Sequence, residues 1–101
     1  MSVKAILLDE KDNVATCTMD ASVGEIIECI GGRGGTVTCV EDIPVWHKVA
    51  LTALPKGEKV IKYGEMIGET SCDIPMGGWV SHENIFSVPR DYAGEYIGKK
   101  G

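Results

Sequence analysis

The segment IPVWHKVALTALPKGEKVIKYGEMIGE, residues 43–69, decides how this chain folds. Its one helix-like window is HKVALTAL, where Val49, Ala50 and Leu54 would share a face, but Pro44 and Pro55 bracket it and leave room for a turn or two at most. The following LPKGEKV reads as a glycine corner feeding a strand. The same spacing (apolar, two residues, Gly, two residues, apolar) occurs in ASVGEII around Gly24 and in IPMGGWV around Gly77. Glycine suits such a corner because it takes positive φ without a Cβ penalty, and Pro55 and Pro75 preset the turn residue before it. Three corners in so short a chain predict a folded-over β structure with long bent ribbons.

Working outward, the other local signals are also β signals. KAILL, NVATCTM, EIIECI, TVTCV, KVIKY and WVSHENIFSV are short, rich in β-branched or aromatic residues, and bounded by Gly, Pro, Asp or Asn. The chain of 101 residues, with 44% hydrophobic and 25% charged residues and 13 glycines, has the composition of a single turn-rich globular domain. The boundary is placed at 1–88, with PRDYAGEYIGKKG at 89–101 read as a tail or linker. Tyr92, Tyr96 and Ile97 suit that tail for docking on a partner or on the domain itself.

A net charge of −5 argues against a domain built to neutralise a phosphate backbone. Ala5–Leu8 is too short an apolar run for a signal peptide or membrane span, so a cytoplasmic location is expected. Cys17, Cys29, Cys39 and Cys72 include no C-x-x-C pair, and the first three lie in β-rich segments as small buried hydrophobes. GGRGG, residues 31–35, is followed by a strand pattern rather than a helix, which favours a hairpin loop over a phosphate cradle. Arg33 at its tip is a candidate contact for a substrate or partner.

Three pieces in order carry a family resemblance. Ile43, Pro44, His47, Lys48, Ala50 and Leu51 match I-P-x-G-H-K-x-A-L. Gly57, Lys62, Tyr63, Gly64, Ile67 and Gly68 match G-x-x-x-x-K-Y-G-x-x-I-G. Asp73, Ile74, Gly77 and Val80 match D-I-x-x-G-x-x-V, and DNVAT at 12–16 resembles an opening D-N-V-A. The chain thus resembles the SAF-type domain of the altronate and galactarate dehydratases over about residues 12 to 86, and is similar to the small subunit of sulfolactate sulfo-lyase. The resemblance implies an all-β, β-clip fold. It also implies a small subunit or N-terminal domain of a hydro-lyase acting on a small anionic sugar acid, with a larger catalytic subunit as partner. A divalent metal such as iron(II), held mainly by that partner, is the implied cofactor; none is evident in this chain alone, and self-association stays open. Two departures stand out. Trp46 replaces a glycine, and the family's V-H-x-H-N reads here Val80, Ser81, His82, Glu83, Asn84. On a strand that shift turns His82 to the opposite face.

Dehydrating a hydroxy acid needs a base for the proton next to the carboxylate, an acid for the departing hydroxyl, and positive charge on the enolate-like transition state. His47 is the catalytic candidate and Lys48, with Arg33, the substrate-binding candidate. Neighbours on an extended chain face opposite ways, so His47 and Lys48 meet one ligand only if WHK lies in a turn. His82, Glu83 and Asn84 are weak metal candidates. Tyr63, on one strand face with Ile61, is read as a packing residue and Lys62 as facing away to solvent or a partner. Trp46 and Trp79 are candidates for an aromatic patch or for anchors on the larger subunit. The competing reading is a stand-alone β-clip module that binds an anionic carbohydrate or a protein without catalysis. A surface-binding protein of the same fold would need a broader threonine face than Thr16, Thr18, Thr36 and Thr38 supply.

Overall fold

The computed structural model of the chain describes residues 3–32 and 34–86. The regular elements among them are all strands: β1 (Val3–Ile6), β2 (Val14–Cys17), β3 (Ile26–Ile30), β4 (Thr36–Thr38), β5 (Lys48–Ala50), β6 (Lys59–Lys62), β7 (Glu65–Thr70), β8 (Trp79–Val80) and β9 (Ile85–Phe86). They form a six-stranded sheet in the order β4-β3-β1-β2-β5-β8 and a three-stranded sheet in the order β6-β7-β9. The result is a small all-β, β-clip-like domain. The window between Pro44 and Pro55 holds no helix. Lys48–Ala50 instead pairs antiparallel with β2 on one side and β8 on the other, so its backbone groups are taken by sheet neighbours.

The corners organise the molecule, and among the described residues there are four rather than three. In the turns Ser22–Glu25, Pro44–His47, Pro55–Glu58 and Pro75–Gly78 the fourth residue's N–H donates to the first residue's carbonyl, at 3.0, 3.1, 3.0 and 2.9 Å. The third residue takes φ of 91° at Gly24, 69° at Trp46, 87° at Gly57 and 85° at Gly77, the type II turn geometry. In three of the four, proline stands at the first position of the turn, not the second; Ser22 holds that place in the other. The corners then pair off. Ala21 and Ile43 exchange both backbone hydrogen bonds, at 2.9 and 2.8 Å, and Leu54 and Ile74 do the same at 2.7 Å each.

Aspartates fasten these pairs. Asp20 accepts the Val45 N–H (2.8 Å), Asp42 the Val23 N–H (3.1 Å) and Asp73 the Lys56 N–H (2.8 Å). Ala53 holds the fourth such place, without an acceptor. At Gly77 a Cβ would also lie 2.0 Å from the Thr38 carbonyl oxygen, so that corner is closed to every other residue.

Two cores result. The larger lies on the inner face of the six-stranded sheet, built from Val3, Ala5, Leu7, Ala15, Cys17, Ile27, Cys29, Cys39 and Val49 among others, with Trp79 packed against it. The smaller joins the sheets through Val14, Ala50, Leu54, Val60, Ile74 and Val80. Strand β2 serves both, which is why all four of its residues are buried.

The segment WVSHENIFSV is not one strand. Asn84 breaks it by accepting the Ser81 N–H (2.8 Å) and donating to the Trp79 carbonyl (2.7 Å), leaving β8 and β9 in different sheets. His82 therefore sits in a turn, and the strand argument for its face does not apply. GGRGG joins antiparallel β3 and β4 as a hairpin, with Gly34 N–H donating to the Gly31 carbonyl. Arg33 and the 89–101 tail lie outside the described residues.

Candidate functional site

The site grows from the way β6 is folded against β2. Asn13, just before β2, accepts the Ile61 N–H (2.8 Å) and donates to the Lys59 carbonyl (2.8 Å), while its own N–H donates to the Ile61 carbonyl (3.1 Å). Beside it Asp12, only 1% exposed, accepts the Gly64 N–H at 2.7 Å and the Asp9 N–H at 3.2 Å. These bonds hold a two-residue hairpin in which Tyr63 and Gly64 both have positive φ, 56° and 79°. Such a turn matches the strand twist but strains a residue with a Cβ, and the Asp12 carboxylate offsets that strain by fixing the turn's amide. Tyr63 is consequently an exposed turn residue, not a packing one. Lys62 does not point freely to solvent: it is half-buried, its ammonium 4.8 Å from the centre of the Tyr63 ring.

That clamp brings Lys62 into electrostatic range of Lys48, the first residue of β5. Burial, and then the Lys62 charge, push the Lys48 pKa below its ordinary 10.5. Neither ammonium has a carboxylate within ion-pair distance among the described residues, whereas Lys4 pairs with Glu28. Lys48 faces Thr16 across the strand pair, and the Thr16 hydroxyl is buried with no hydrogen-bond partner.

His47 goes the other way. It closes the Pro44–His47 corner, and its Nδ1 accepts the Trp79 indole N–H at 3.0 Å. The two rings meet edge to face, 5.3 Å between centres and 73° between planes. Trp79 and Val49 are a cross-strand pair on the larger core, while Lys48 pairs with Thr16 and Val80 on the opposite face. His47 and Lys48 thus leave one strand end on opposite sides; the corner does not turn both into a shared cleft. An indole nitrogen only donates, so Nδ1 is the bare nitrogen of the neutral ring and Nε2 carries the proton. The arrangement presents an N–H donor, whereas a general base would need Nε2 bare.

The remaining candidates are not gathered here. Trp46, 65% exposed, stands at its corner apart from the Trp79–His47 pair. Its left-handed backbone explains the family's glycine at this place. His82 and Glu83 are exposed, and the Asn84 amide is used at both ends by its turn. No three His, Cys, Asp or Glu side chains among the described residues gather to hold a metal, so this donor set does not fit one. Cys17, Cys29 and Cys39 are buried as expected, and burial, then Cys39 and Cys29, push the Cys17 thiol up to about 11, which leaves it neutral and inert. Among the described residues no helix is long and apolar enough to cross a membrane. Sequence reasoning missed Thr16 and Lys62 as neighbours of Lys48, and Trp79 as the partner of His47. The D-N pair before β2 was the available signal for the first, since two short polar acceptors beside a strand are suited to clamping a turn.

Residues 3–88 match the model of the altronate/galactarate dehydratase SAF domain. Galactarate dehydratase (L-threo-forming) of Escherichia coli (strain K12) is 33% identical over 79% of this chain and 14% of its own. Altronate dehydratase of the same organism is 40% identical over 72% of this chain and 14% of its own. The (2R)-sulfolactate sulfo-lyase subunit alpha of Paracoccus pantotrophus is 50% identical over 48% of this chain and 72% of its own. The chain therefore spans about a seventh of the length of the two dehydratases.

Proposed function

Because the chain belongs to the altronate/galactarate dehydratase SAF domain family, we propose that it is the small subunit, or one domain, of a hydro-lyase acting on a sugar acid. The observation that carries this reading is the pair of half-buried lysines, Lys48 and Lys62, which among the described residues have no carboxylate partner, in a chain of net charge −5. Fixed positive charge that the fold does not use suits the carboxylate of a hydroxy acid and the negative charge that develops on it as the α-proton leaves. His47 presents an Nε2–H donor on the opposite side of the same strand end, so its role in the complex is separate from holding the carboxylate. The base and the divalent metal belong to the larger catalytic subunit. The subunit naming of the sulfo-lyase relative, and the small share of the dehydratases that this chain spans, support a larger partner.

The test is His47→Ala assayed with the larger subunit present, against galactarate, altronate and sulfolactate. The expected result is a loss of about 10²-fold or more in turnover with the complex still assembled. Unchanged turnover removes His47 from the mechanism. Recovery from the native host as a lone chain without a large partner favours the non-catalytic binding module.

A further inference from the structure

We propose that Thr16, Lys48 and Lys62 form one oxyanion site, on the face of β2 and β5 away from His47, that takes the carboxylate of the hydroxy acid. The site deepens the reading above and rests on it for the identity of the anion. Three observations meet there. First, Lys48 and Thr16 are directly opposed on β5 and β2, which places their Cβ atoms about 5 Å apart on one face. Second, the Thr16 hydroxyl is shut from solvent and unpartnered, an arrangement that native proteins avoid unless a water, an ion or a ligand completes it. Third, Asn13 and Asp12 tie β6 and the β6–β7 hairpin against the start of β2, which brings the Lys62 charge into range of Lys48.

The electrostatics give the preference for an anion. Two ammonium groups in range of each other, with no carboxylate paired to either among the described residues, raise each other's cost, and the Tyr63 ring by Lys62 lowers that cost without neutralising it. A carboxylate between the lysines relieves the repulsion and supplies the acceptor that the Thr16 hydroxyl lacks. Reaching that hydroxyl requires the two flexible lysine stems to part around the incoming group. Lysine, a mobile point charge rather than a rigid fork, suits that motion.

The experiment is a chemical-shift titration of the 101-residue chain with sodium tartrate, a hydroxy diacid, against sodium chloride at matched ionic strength. Saturable shifts centred on Thr16, Lys48 and Lys62 are expected. Lys48→Gln and Lys62→Gln should each weaken binding about tenfold, the scale of one charge-assisted hydrogen bond. Thr16→Val should weaken it about threefold or more with both charges intact. Backbone spectra establish that each variant is folded, and Lys4→Gln on β1 is the control that leaves affinity unchanged. Shifts reproduced by chloride, or tartrate binding untouched by Lys62→Gln or Thr16→Val, overturn the site. Because this is a binding measurement on the chain alone, its failure is distinct from a failure of the His47→Ala turnover test.

Discussion

Replacing Trp79 by Phe tests the chemistry assigned to His47. The substitution keeps an aromatic ring against His47 and the larger core and removes only the N–H that donates to Nδ1 at 3.0 Å. In the native chain, moving the proton from Nε2 to Nδ1 would lose that bond, worth about 1 kcal/mol, and set two donors face to face, at a further cost of about 1–3 kcal/mol if neither finds water. Both rings are half-buried, so water recovers part of this. A bias of about 1–2 kcal/mol remains, roughly 5- to 30-fold in favour of the Nε2–H form. Long-range ¹H–¹⁵N correlation of the neutral imidazole reads the two nitrogens directly. The native chain should show Nδ1 as the bare nitrogen and Nε2 as the protonated one. In Trp79→Phe the two forms should mix; with about half of the neutral rings protonated on Nε2, turnover with the larger subunit should fall about twofold, the fraction by which the productive form is depleted. A native spectrum with the proton on Nδ1, or a variant with an unaltered tautomer, refutes the argument that His47 serves as a donor.

Two further predictions follow from the clamp and from the lysines. Asp12→Ala removes a buried acceptor of two backbone amides and should destabilise the chain by about 2–4 kcal/mol in urea unfolding, a loss below about 0.5 kcal/mol contradicting its role as clamp. Lys48→Met should stabilise the chain. Lys48 has a lowered folded pKa, so the unfolded state binds more protons in the window up to 10.5, and native stability rises with pH across it. The advantage of Lys48→Met is therefore full below that lowered pKa and fades as pH approaches 10.5, whereas a gain that persists unchanged above 10.5 would show that it comes from packing alone.

The strands were legible wherever β-branched residues cluster, because those residues fit a pleated, half-buried surface whatever their partner. β2, β3, β4 and β6 lie within the segments so identified, and β1 starts one residue before KAILL. Three corners were legible through glycine. The fourth was hidden because Trp46 carries the left-handed conformation that glycine holds elsewhere. Its signal was the proline: Ile43-Pro44 aligns with Leu54-Pro55 and Ile74-Pro75, three residues before the last residue of each turn. β7 escaped notice because its apolar residues do not alternate strictly and Gly68 interrupts it, while a Cβ there would lie 2.6 Å from the Phe86 carbonyl oxygen. The neighbourhood of Lys48 was not legible at all. Lys62 reaches it through hydrogen bonds between residues 46 to 52 apart in the chain, and no local pattern encodes such pairing.

The residues that carry the family resemblance separate once their bonds are known. Gly57 and Gly77 hold corners, Asp73 fastens one, Asp12 and Asn13 clamp the hairpin, and Gly64 donates to that clamp. Each has a structural partner that accounts for it. Lys48 and Lys62 differ: among the described residues neither has a carboxylate partner, Lys62 has only the Tyr63 ring, and Lys48 is half-buried at a cost. A residue that the motif includes and the fold does not need is better explained by what it binds. His47 is intermediate, since its partner Trp79 lies at a position that the motif leaves open, so the tautomer lock belongs to this chain rather than to the pattern. Charge on the lysine face can therefore be altered without touching the Trp79–His47 pair, and each side of the β5 strand end can be probed separately.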